Sequence, residues 1–201
     1  MKFRSSPWWL AVGTAAALTA LALALDGHTL GAARTEASPP PITATAQVAG
    51  VDSVQVLYVG FTPPVGVAKE LVAAIDRAQK EVLVQAYGFT HNAIAQAVIR
   101  AHQRGLRVAV LLDEKSDHTN RYVIDLFRGA SVDMRLDGKH AIAHNKVILI
   151  DSDIVVTGSF NFTNSAETRN AENLLILRGA KLATAYRDNW QQHWQHSKPG
   201  F

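Results

Sequence analysis

Length, composition and charge limit the classes of protein to which this chain can belong. With 201 residues, 48% of them hydrophobic, the chain is long enough for one domain with a sizeable core, and its composition excludes general disorder. A formal net charge of +3 is only mildly basic and gives weak support for a polyanionic partner. Because cysteine is absent, no disulfide stabilises the fold, although an oxidising compartment remains compatible.

Residues 1–33 have the order of features of an export signal. A positively charged start precedes an apolar run at 8–25 and then a series of small residues. This order predicts a secretory signal peptide, cleaved after Ala33 or Ala37. At about 18 residues the run is also just long enough for an uncleaved membrane anchor. We therefore expect the rest of the chain to be periplasmic or secreted, or anchored facing the periplasm, with membrane contact only if the segment is uncleaved.

Residues 34–50 contain three consecutive prolines among small polar residues, which predicts a flexible linker. Residues 51–201 form the predicted domain. Short apolar runs predict strands at 54–59, 81–87, 106–112, 132–136, 147–150, 154–157 and 173–177. Apolar positions at helical spacing predict helices at 66–80, 92–104, 117–128 and 181–196. This alternation predicts the α/β fold class, with a mixed, partly parallel sheet flanked by helices.

Polar side chains bracket the two short strands 147–150 and 154–157 in a regular pattern. The first two members stand two residues apart, so their side chains point to the same face of a strand. The others close the first strand, follow the second, or open the next apolar run. In chain order the set is His144, Lys146, Asp151, Gly158, Ser159, Asn161 and Glu172.

These groups suit chemistry at a phosphodiester. His144 can act as a nucleophile or as a general acid and base near neutral pH. Lys146 offers a cationic donor to a phosphate oxygen, and Ser159 and Asn161 offer neutral donors. Gly158 lets the backbone approach a ligand closely. The set is therefore suited to displacement at phosphorus through a covalent phosphohistidine.

A carboxylate is expected to hold the imidazole in one tautomer, and both Asp151 and Glu172 are candidates. We predict no metal or other cofactor for this chemistry, because the set contains no cysteine and no cluster of carboxylates such as Mg²⁺ prefers. His140 and His144 are four residues apart, a spacing that forms a metal pair on a helix. Here the segment is predicted to be a turn that leads into a strand, so no zinc site is predicted.

The arrangement His144-x-Lys146-x4-Asp151-x6-Gly158-Ser159-x-Asn161 matches the HKD signature of the phospholipase D superfamily without departure. Glu172 matches a position where that family commonly has an acid. Residues 84–90 and 104–113 resemble the half-domain that precedes the motif in bacterial exported endonucleases, including the EDTA-resistant nucleases of conjugative plasmids. The resemblance covers about residues 54–196 and implies the phospholipase D/nuclease fold.

The chain has one HKD set, and the resemblance then implies a homodimer in which the two His144 side chains share one active site. One imidazole would attack phosphorus while the other protonates the leaving oxygen and later activates water. Lys146 and Asn161 from both subunits would surround the phosphoryl oxygens. Within this family's fold, Asp151 is expected to order the turn and Glu172 to orient His144.

Two further groups of side chains outside the motif are considered for substrate contact. Lys115, His118 and Lys139 lie in predicted loops and are candidate substrate contacts, together with Gly158. The last helix carries Trp190, His193, Trp194 and His196. We predict that these rings pack on the sheet, with base stacking as the alternative.

The sequence thus predicts a metal-independent endonuclease that hydrolyses DNA, RNA or both with little sequence specificity. Low specificity is expected because the phosphodiester is the recognised element. One alternative is a phospholipase D-type lipid phosphodiesterase or transphosphatidylase, which would use the same chemistry. Another is a non-catalytic module that binds nucleic acid. No protein partner other than a second copy of the chain is inferred.

Overall fold

A computed structural model describes residues 53–64 and 66–201, so the predicted signal segment 1–33 and the linker 34–50 lie outside the described residues. The strands are β1 (Gln55–Thr62), β2 (Glu81–Ala86), β3 (Arg107–Asp113), β4 (Asp133–Asp137), β5 (Lys146–Ile150), β6 (Ile154–Gly158), β7 (Glu172–Arg178) and β8 (Lys198–Pro199). The helices are α1 (Val67–Asp76), α2 (Asn92–Gln103), α3 (Asp117–Gly129), α4 (Asn164–Thr168) and α5 (Ala180–His196). A 3₁₀ turn, Glu114–Ser116, precedes α3.

The eight strands form one sheet in the order β1-β7-β6-β5-β2-β3-β4-β8. Strands β2, β3 and β4 are parallel, and α2 and α3 make the crossovers between them. The other neighbouring strands are antiparallel. The nearly continuous apolar runs of β2 and β3 lie in the interior of the sheet, where both faces are covered. The predicted mixed, partly parallel sheet is confirmed.

Two apolar layers hold the helices on the sheet. On one face, α1, α2 and α3 bury side chains such as Leu71, Ile94 and Phe127 against Val84. On the other face, α5 covers a smaller layer that contains Trp190. The indole Nε1 of Trp190 donates to the Val84 carbonyl at 3.0 Å, and its ring stacks on that of Trp194 with centroids 4.8 Å apart. The predicted packing of these two tryptophans on the sheet is confirmed.

The structure differs from the predicted elements mainly in short segments. Strand β1 continues to Thr62, three residues beyond the predicted end, because it pairs with β7 along its length. Helix α1 ends at Asp76 rather than at residue 80. Helix α4, with five residues, was not predicted, and its amino end is capped by Thr163, whose Oγ1 accepts from the Ala166 amide at 3.1 Å. Such short elements depend on partners that are distant in sequence.

One edge of the sheet, called here the cleft edge, collects the ends of several strands. The end of β2 pairs with the start of β5 through Ala86 and Lys146. The end of β1 pairs with the start of β7 through Thr62 and Glu172. The ends of β3, β4 and β6 lie at the same edge. Among the helices in residues 66–201, none has both the length and the apolar character needed to cross a membrane.

Candidate active site

Six of the predicted site residues line one open cleft of about 420 Å³ at the cleft edge. They come from the start of β5, the end of β6 and the start of β7, which are neighbours in the sheet. The short β5–β6 turn at the far end brings β6 back to this edge, and the longer segment from β6 to β7 begins and ends there. The lining residues are His144, Lys146, Gly158, Ser159, Asn161 and Glu172.

His144 and Lys146 are held together by Tyr87, which follows β2. The exposed imidazole lies against the phenol ring, with centroids 4.7 Å apart and planes inclined at 57°. The Lys146 Nζ lies 5.4 Å from the centroid of the same ring, within the range of a cation–π contact. This ammonium also donates to the His144 carbonyl at 2.9 Å. One aromatic ring therefore contacts the candidate nucleophile and the candidate phosphate-binding cation.

The Lys146 side chain is a cation in a largely buried position, with 8% of the residue exposed. Burial lowers the pKa of its ammonium below the usual value of 10.5, while the nearby Glu172 carboxylate raises it in part. The charge of Lys146 therefore depends on both its burial and Glu172. A phosphodiester bound in the cleft would supply a further negative charge that favours the ammonium form.

Glu172 is placed in the cleft, but its partners differ from the prediction. Its Oε2 accepts from the Ser159 hydroxyl at 2.6 Å, and its Oε1 accepts from Asn170 Nδ2 at 2.9 Å. In the part of the chain that the structure describes, the carboxylate makes no hydrogen bond with His144. Because a serine has a single hydroxyl proton, Ser159 donates to Glu172 and accepts from the Asn173 amide at 3.1 Å. The carboxylate thus orients Ser159.

Asn161 and Gly158 complete the wall of the cleft. The Asn161 Oδ1 is buried and has no hydrogen-bond partner among the described residues. Gly158 has φ 146°, and a Cβ at this position would lie 2.3 Å from the Asn173 carbonyl oxygen. Only glycine is therefore compatible with this backbone. Gly88 approaches Asn161 closely as well, since a Cβ there would lie 3.4 Å from Oδ1.

Asp151 lies at the other end of β5, away from the cleft, so the structure does not bring this candidate catalytic residue together with the others. Its Oδ1 accepts from the amides of Gln79, Lys80 and Glu81 at 3.1, 2.7 and 3.2 Å. Its own φ is 54°, a left-handed conformation that Asp tolerates better than most residues. These contacts tie the β5–β6 turn to the chain that enters β2. Asp151 therefore has a structural role in the turn.

The three candidate substrate contacts outside the motif do not line the cleft. Lys115 Nζ donates to the carbonyls of His140 and Ala141 at 3.1 and 2.6 Å. His118 is exposed in the first turn of α3, and Lys139 is exposed beside a different pocket. The structure therefore gives no support to these three as substrate contacts.

Lys115 instead supports residues 138–145, called here the catalytic segment because it joins β4 to β5 and carries His144. Asp113, at the end of β3, accepts from the Ala143 amide in this segment at 2.6 Å. Asp113 and Tyr87 are not among the predicted site residues. The available signal was their position, because both stand directly at the end of a predicted buried strand.

The histidines outside the motif form a separate group. His193 Nδ1 lies 2.6 Å from Asp137 Oδ2, and His196 Nε2 lies 3.1 Å from Asp137 Oδ1. The His140 ring contacts both of the other rings. The prediction that His193 and His196 pack on the sheet as aromatic rings is therefore wrong, because both turn toward a buried carboxylate at the end of β4.

A mixed eight-stranded sheet with His144, Lys146 and Asn161 of the HKD signature in one polar cleft is typical of the phospholipase D class of phosphodiesterases. The chain belongs to this superfamily, because residues 71–194 match the family model described as "Cardiolipin synthase, PLD-like domain". The predicted family membership is confirmed.

Individual relatives carry different names. The chain is 43% identical over 130 residues to a "Phospholipase D" of Rickettsia prowazekii, covering 65% of this chain and 63% of the relative. It is 32% identical over 129 residues to a "Mitochondrial cardiolipin hydrolase" of Xenopus tropicalis, covering 64% of this chain and 61% of that protein. The aligned part thus spans less than two thirds of these relatives.

Two solved structures have a fold similar to that of this chain. Nuc from Salmonella typhimurium, a phospholipase D family member, superposes with a TM-score of 0.70 and 32% identity over 73% of this chain and 98% of that chain. NucT from Helicobacter pylori superposes with a TM-score of 0.65 at 24% identity, over 73% of this chain and 99% of that chain. At this identity, the similarity to NucT shows a shared fold only.

Proposed function

We propose that this protein is an exported endonuclease that hydrolyses phosphodiester bonds of DNA or RNA with little sequence specificity. The observation that carries the proposal is the meeting of His144, Lys146 and Asn161 in an open cleft lined by polar residues and glycine. These groups address a phosphodiester, and none of the six residues that line the cleft has an aliphatic or benzenoid side chain. The likeness to Nuc over nearly its whole length supports a phosphodiesterase of one such domain.

The proposed reaction has two displacements at phosphorus. In the first, a nitrogen of one His144 forms a bond to phosphorus while the bond to the leaving oxygen breaks, and a second imidazole gives that oxygen its proton. In the second, a water oxygen attacks phosphorus, its proton passes to the second imidazole, and the nitrogen–phosphorus bond breaks. Lys146 and the Asn161 amide offset charge on the phosphoryl oxygens.

The second imidazole is proposed to come from another copy of the chain, because each chain has one HKD set. Surface chemistry beside the cleft supports a dimer. Val59 and Phe61 are 47% and 63% exposed on the edge strand β1. Phe61 pairs with Asn173, next to Glu172 of the cleft. Neighbouring exposed apolar side chains of this kind commonly mark a protein interface.

A lipid phosphodiesterase or transphosphatidylase is the second candidate. The names of the relatives, "Phospholipase D" and "Mitochondrial cardiolipin hydrolase", support it. Ile142, 50% exposed in the catalytic segment two residues before His144, also offers an apolar contact near the cleft. A non-catalytic binding module is disfavoured, because the candidate nucleophile and cation are both present in the cleft.

The deciding experiment compares nucleic acid and lipid as substrates of the full-length protein. Supercoiled plasmid is incubated with excess chelator and with wild type, His144→Ala or His118→Ala. The last variant is a matched control, because His118 is an exposed histidine outside the cleft. Cleavage by wild type and His118→Ala, but not by His144→Ala, is expected.

The same three proteins are then tested on RNA and on vesicles that contain cardiolipin. If folded wild type leaves plasmid and RNA intact, the nuclease proposal is overturned. Release of phosphatidic acid from the vesicles by wild type, with loss of that release in His144→Ala, would then establish the lipid alternative.

A further inference from the structure

Four side chains with metal-ligating atoms converge at the cleft edge but outside the cleft. Asp137 ends β4, and His140 follows it in the catalytic segment. His193 and His196 are three residues apart on α5, so they share one helix face. One ligand atom from each of the four lies within 4.8 Å of the others. The set is not part of the proposed phosphodiesterase chemistry.

The carboxylate at the centre of this group is shielded from water. Asp137 is 1% exposed, whereas His193 and His196 are partly exposed and His140 is exposed. A buried carboxylate needs compensation by hydrogen bonds, positive charge or a metal. Burial raises the pKa of Asp137, but hydrogen bonds from His193, the Lys139 amide and His196 lower it to a net value below the usual one. Each oxygen of this carboxylate therefore faces one imidazole nitrogen of α5.

The composition and geometry of the set fit one class of ion. Imidazole nitrogens and a carboxylate oxygen are ligands that Zn²⁺ accepts in tetrahedral sites, with bonds of about 2.0–2.2 Å. Such bonds place neighbouring ligand atoms roughly 3.3 Å apart. The 3.1 Å between Asp137 Oδ1 and His196 Nε2 is near this value, whereas the 2.6 Å between Asp137 Oδ2 and His193 Nδ1 is a hydrogen-bond distance that an ion would lengthen. Three histidines are too rich in nitrogen for Mg²⁺ or Ca²⁺, which prefer oxygen.

We propose that Asp137, His140, His193 and His196 form a zinc site that fastens the catalytic segment to helix α5. Two ligands come from α5, one ends β4, and one belongs to residues 138–145. The ion would therefore connect the segment that carries His144 to α5, the helix that covers the smaller apolar layer of the sheet. Its role is structural, and the phosphodiesterase chemistry proceeds in the separate cleft.

The four candidate ligands form two pairs with the same spacing in the sequence, which supports a metal site over a chance cluster. Asp137-x2-His140 and His193-x2-His196 each place two ligands within one turn of chain. The pocket around the histidines is open to solvent and is also lined by Asn189, Gln192 and Gln195, so an ion can enter.

Zinc content tests the proposal without reference to catalysis. Untagged full-length protein is loaded with zinc, passed into zinc-free buffer and analysed by mass spectrometry of the metal. One zinc per chain is expected for wild type and for His118→Ala, and a clear loss is expected for His140→Ala. His140→Ala is the sharpest variant, because it leaves both hydrogen bonds between Asp137 and the α5 histidines in place.

Thermal unfolding provides the second measurement. Zinc is expected to raise the melting temperature of wild type and His118→Ala by several degrees, since an ion that binds the folded state stabilises it. It should leave His140→Ala nearly unchanged, and Mg²⁺ should have no such effect on any of them. Equal zinc content and equal stabilisation in wild type and His140→Ala would overturn the proposal, as would the absence of zinc from folded wild type. Neither result bears on whether the cleft cleaves nucleic acid.

Discussion

Because Lys146 is buried, the strength with which the cleft binds phosphate is expected to depend on pH. Because burial places the pKa of its ammonium below 10.5, this cation loses its proton at a lower pH than a free lysine does. We therefore expect phosphate binding to weaken as the pH rises through that lowered pKa. Calorimetric titration of the full-length protein with inorganic phosphate above pH 8 measures this, since the ligand remains a dianion there.

The variant Glu172→Gln tests whether Glu172 sets the pH at which phosphate binding is lost. The carboxylate favours the charged form of Lys146, so its neutralisation should move the loss of phosphate binding to a still lower pH. The amide oxygen of Gln can still accept from Ser159, which preserves that contact. A shift to higher pH would contradict this account of the lysine's charge.

Tyr87 is predicted to be a positioning residue for His144 and Lys146. Tyr87→Ala removes the ring that both contact, and we expect kcat to fall by about tenfold to a hundredfold, as displacements near 1 Å do in active sites. Tyr87→Phe retains the ring and should have a rate close to wild type. The two variants are compared by initial rates of plasmid cleavage. Equal losses in both would assign the effect to the hydroxyl and not to the ring.

At the scale of elements, Asp151 determines how firmly the β5–β6 turn is held to β2. Asp151→Ala removes the acceptor of three amides and leaves alanine at φ 54°. We expect the free energy of unfolding to fall by about 2–3 kcal/mol. Asp151→Asn keeps an Oδ1 acceptor and tolerates this conformation, so it should lose less. Urea unfolding followed by circular dichroism measures both.

Cleavage rates of the folded Asp151 variants show whether this residue acts in the reaction or only stabilises the turn. Because the carboxylate lies at the end of β5 opposite the cleft, kcat per folded molecule should stay near the wild-type value. A loss as large as that of His144→Ala in folded Asp151→Asn would instead return this carboxylate to the reaction.

Most of the elements and the cleft could be predicted from local patterns. Strands β2, β3 and β5 were predictable because apolar runs of this length need two covered faces, and the motif residues meet because a short hairpin makes β5 and β6 neighbours. His144 and Lys146 line the same cleft because they stand two residues apart, and side chains at that spacing in an extended segment point the same way. A local pattern was sufficient wherever the partners were close in sequence or belonged to a recognised signature.

The contacts that were not predicted join distant parts of the chain. His193 meets Asp137 across 56 positions, and Tyr87 meets His144 across a comparable distance. Glu172 was assigned to the imidazole by resemblance, whereas Ser159 and Asn170 compete for its oxygens. Such choices depend on the packing of α5 and β7 on the finished sheet, which no local pattern contains.

At the scale of the whole molecule, the proposed dimer has a surface that can be tested. Phe61→Lys places a charge among exposed apolar side chains of β1 beside the cleft, and we expect monomers with greatly reduced cleavage. Tyr122→Lys is the control, because Tyr122 is a similarly exposed ring on α3. Light scattering gives the mass of each protein. A monomeric Phe61→Lys that cleaves at the wild-type rate would contradict the shared active site.

The direction of strand β1 also determines where the cleft points when the protein is immobilised on a support. The strand starts with Gln55 at the edge of the sheet opposite the cleft and ends with Thr62 at the cleft edge, a rise of roughly 25 Å for an extended chain. A bead or surface coupled at the start of this strand would therefore hold the protein with its cleft directed outward. Long polymers in solution would reach the cleft from the free side, without having to pass between the protein and its support.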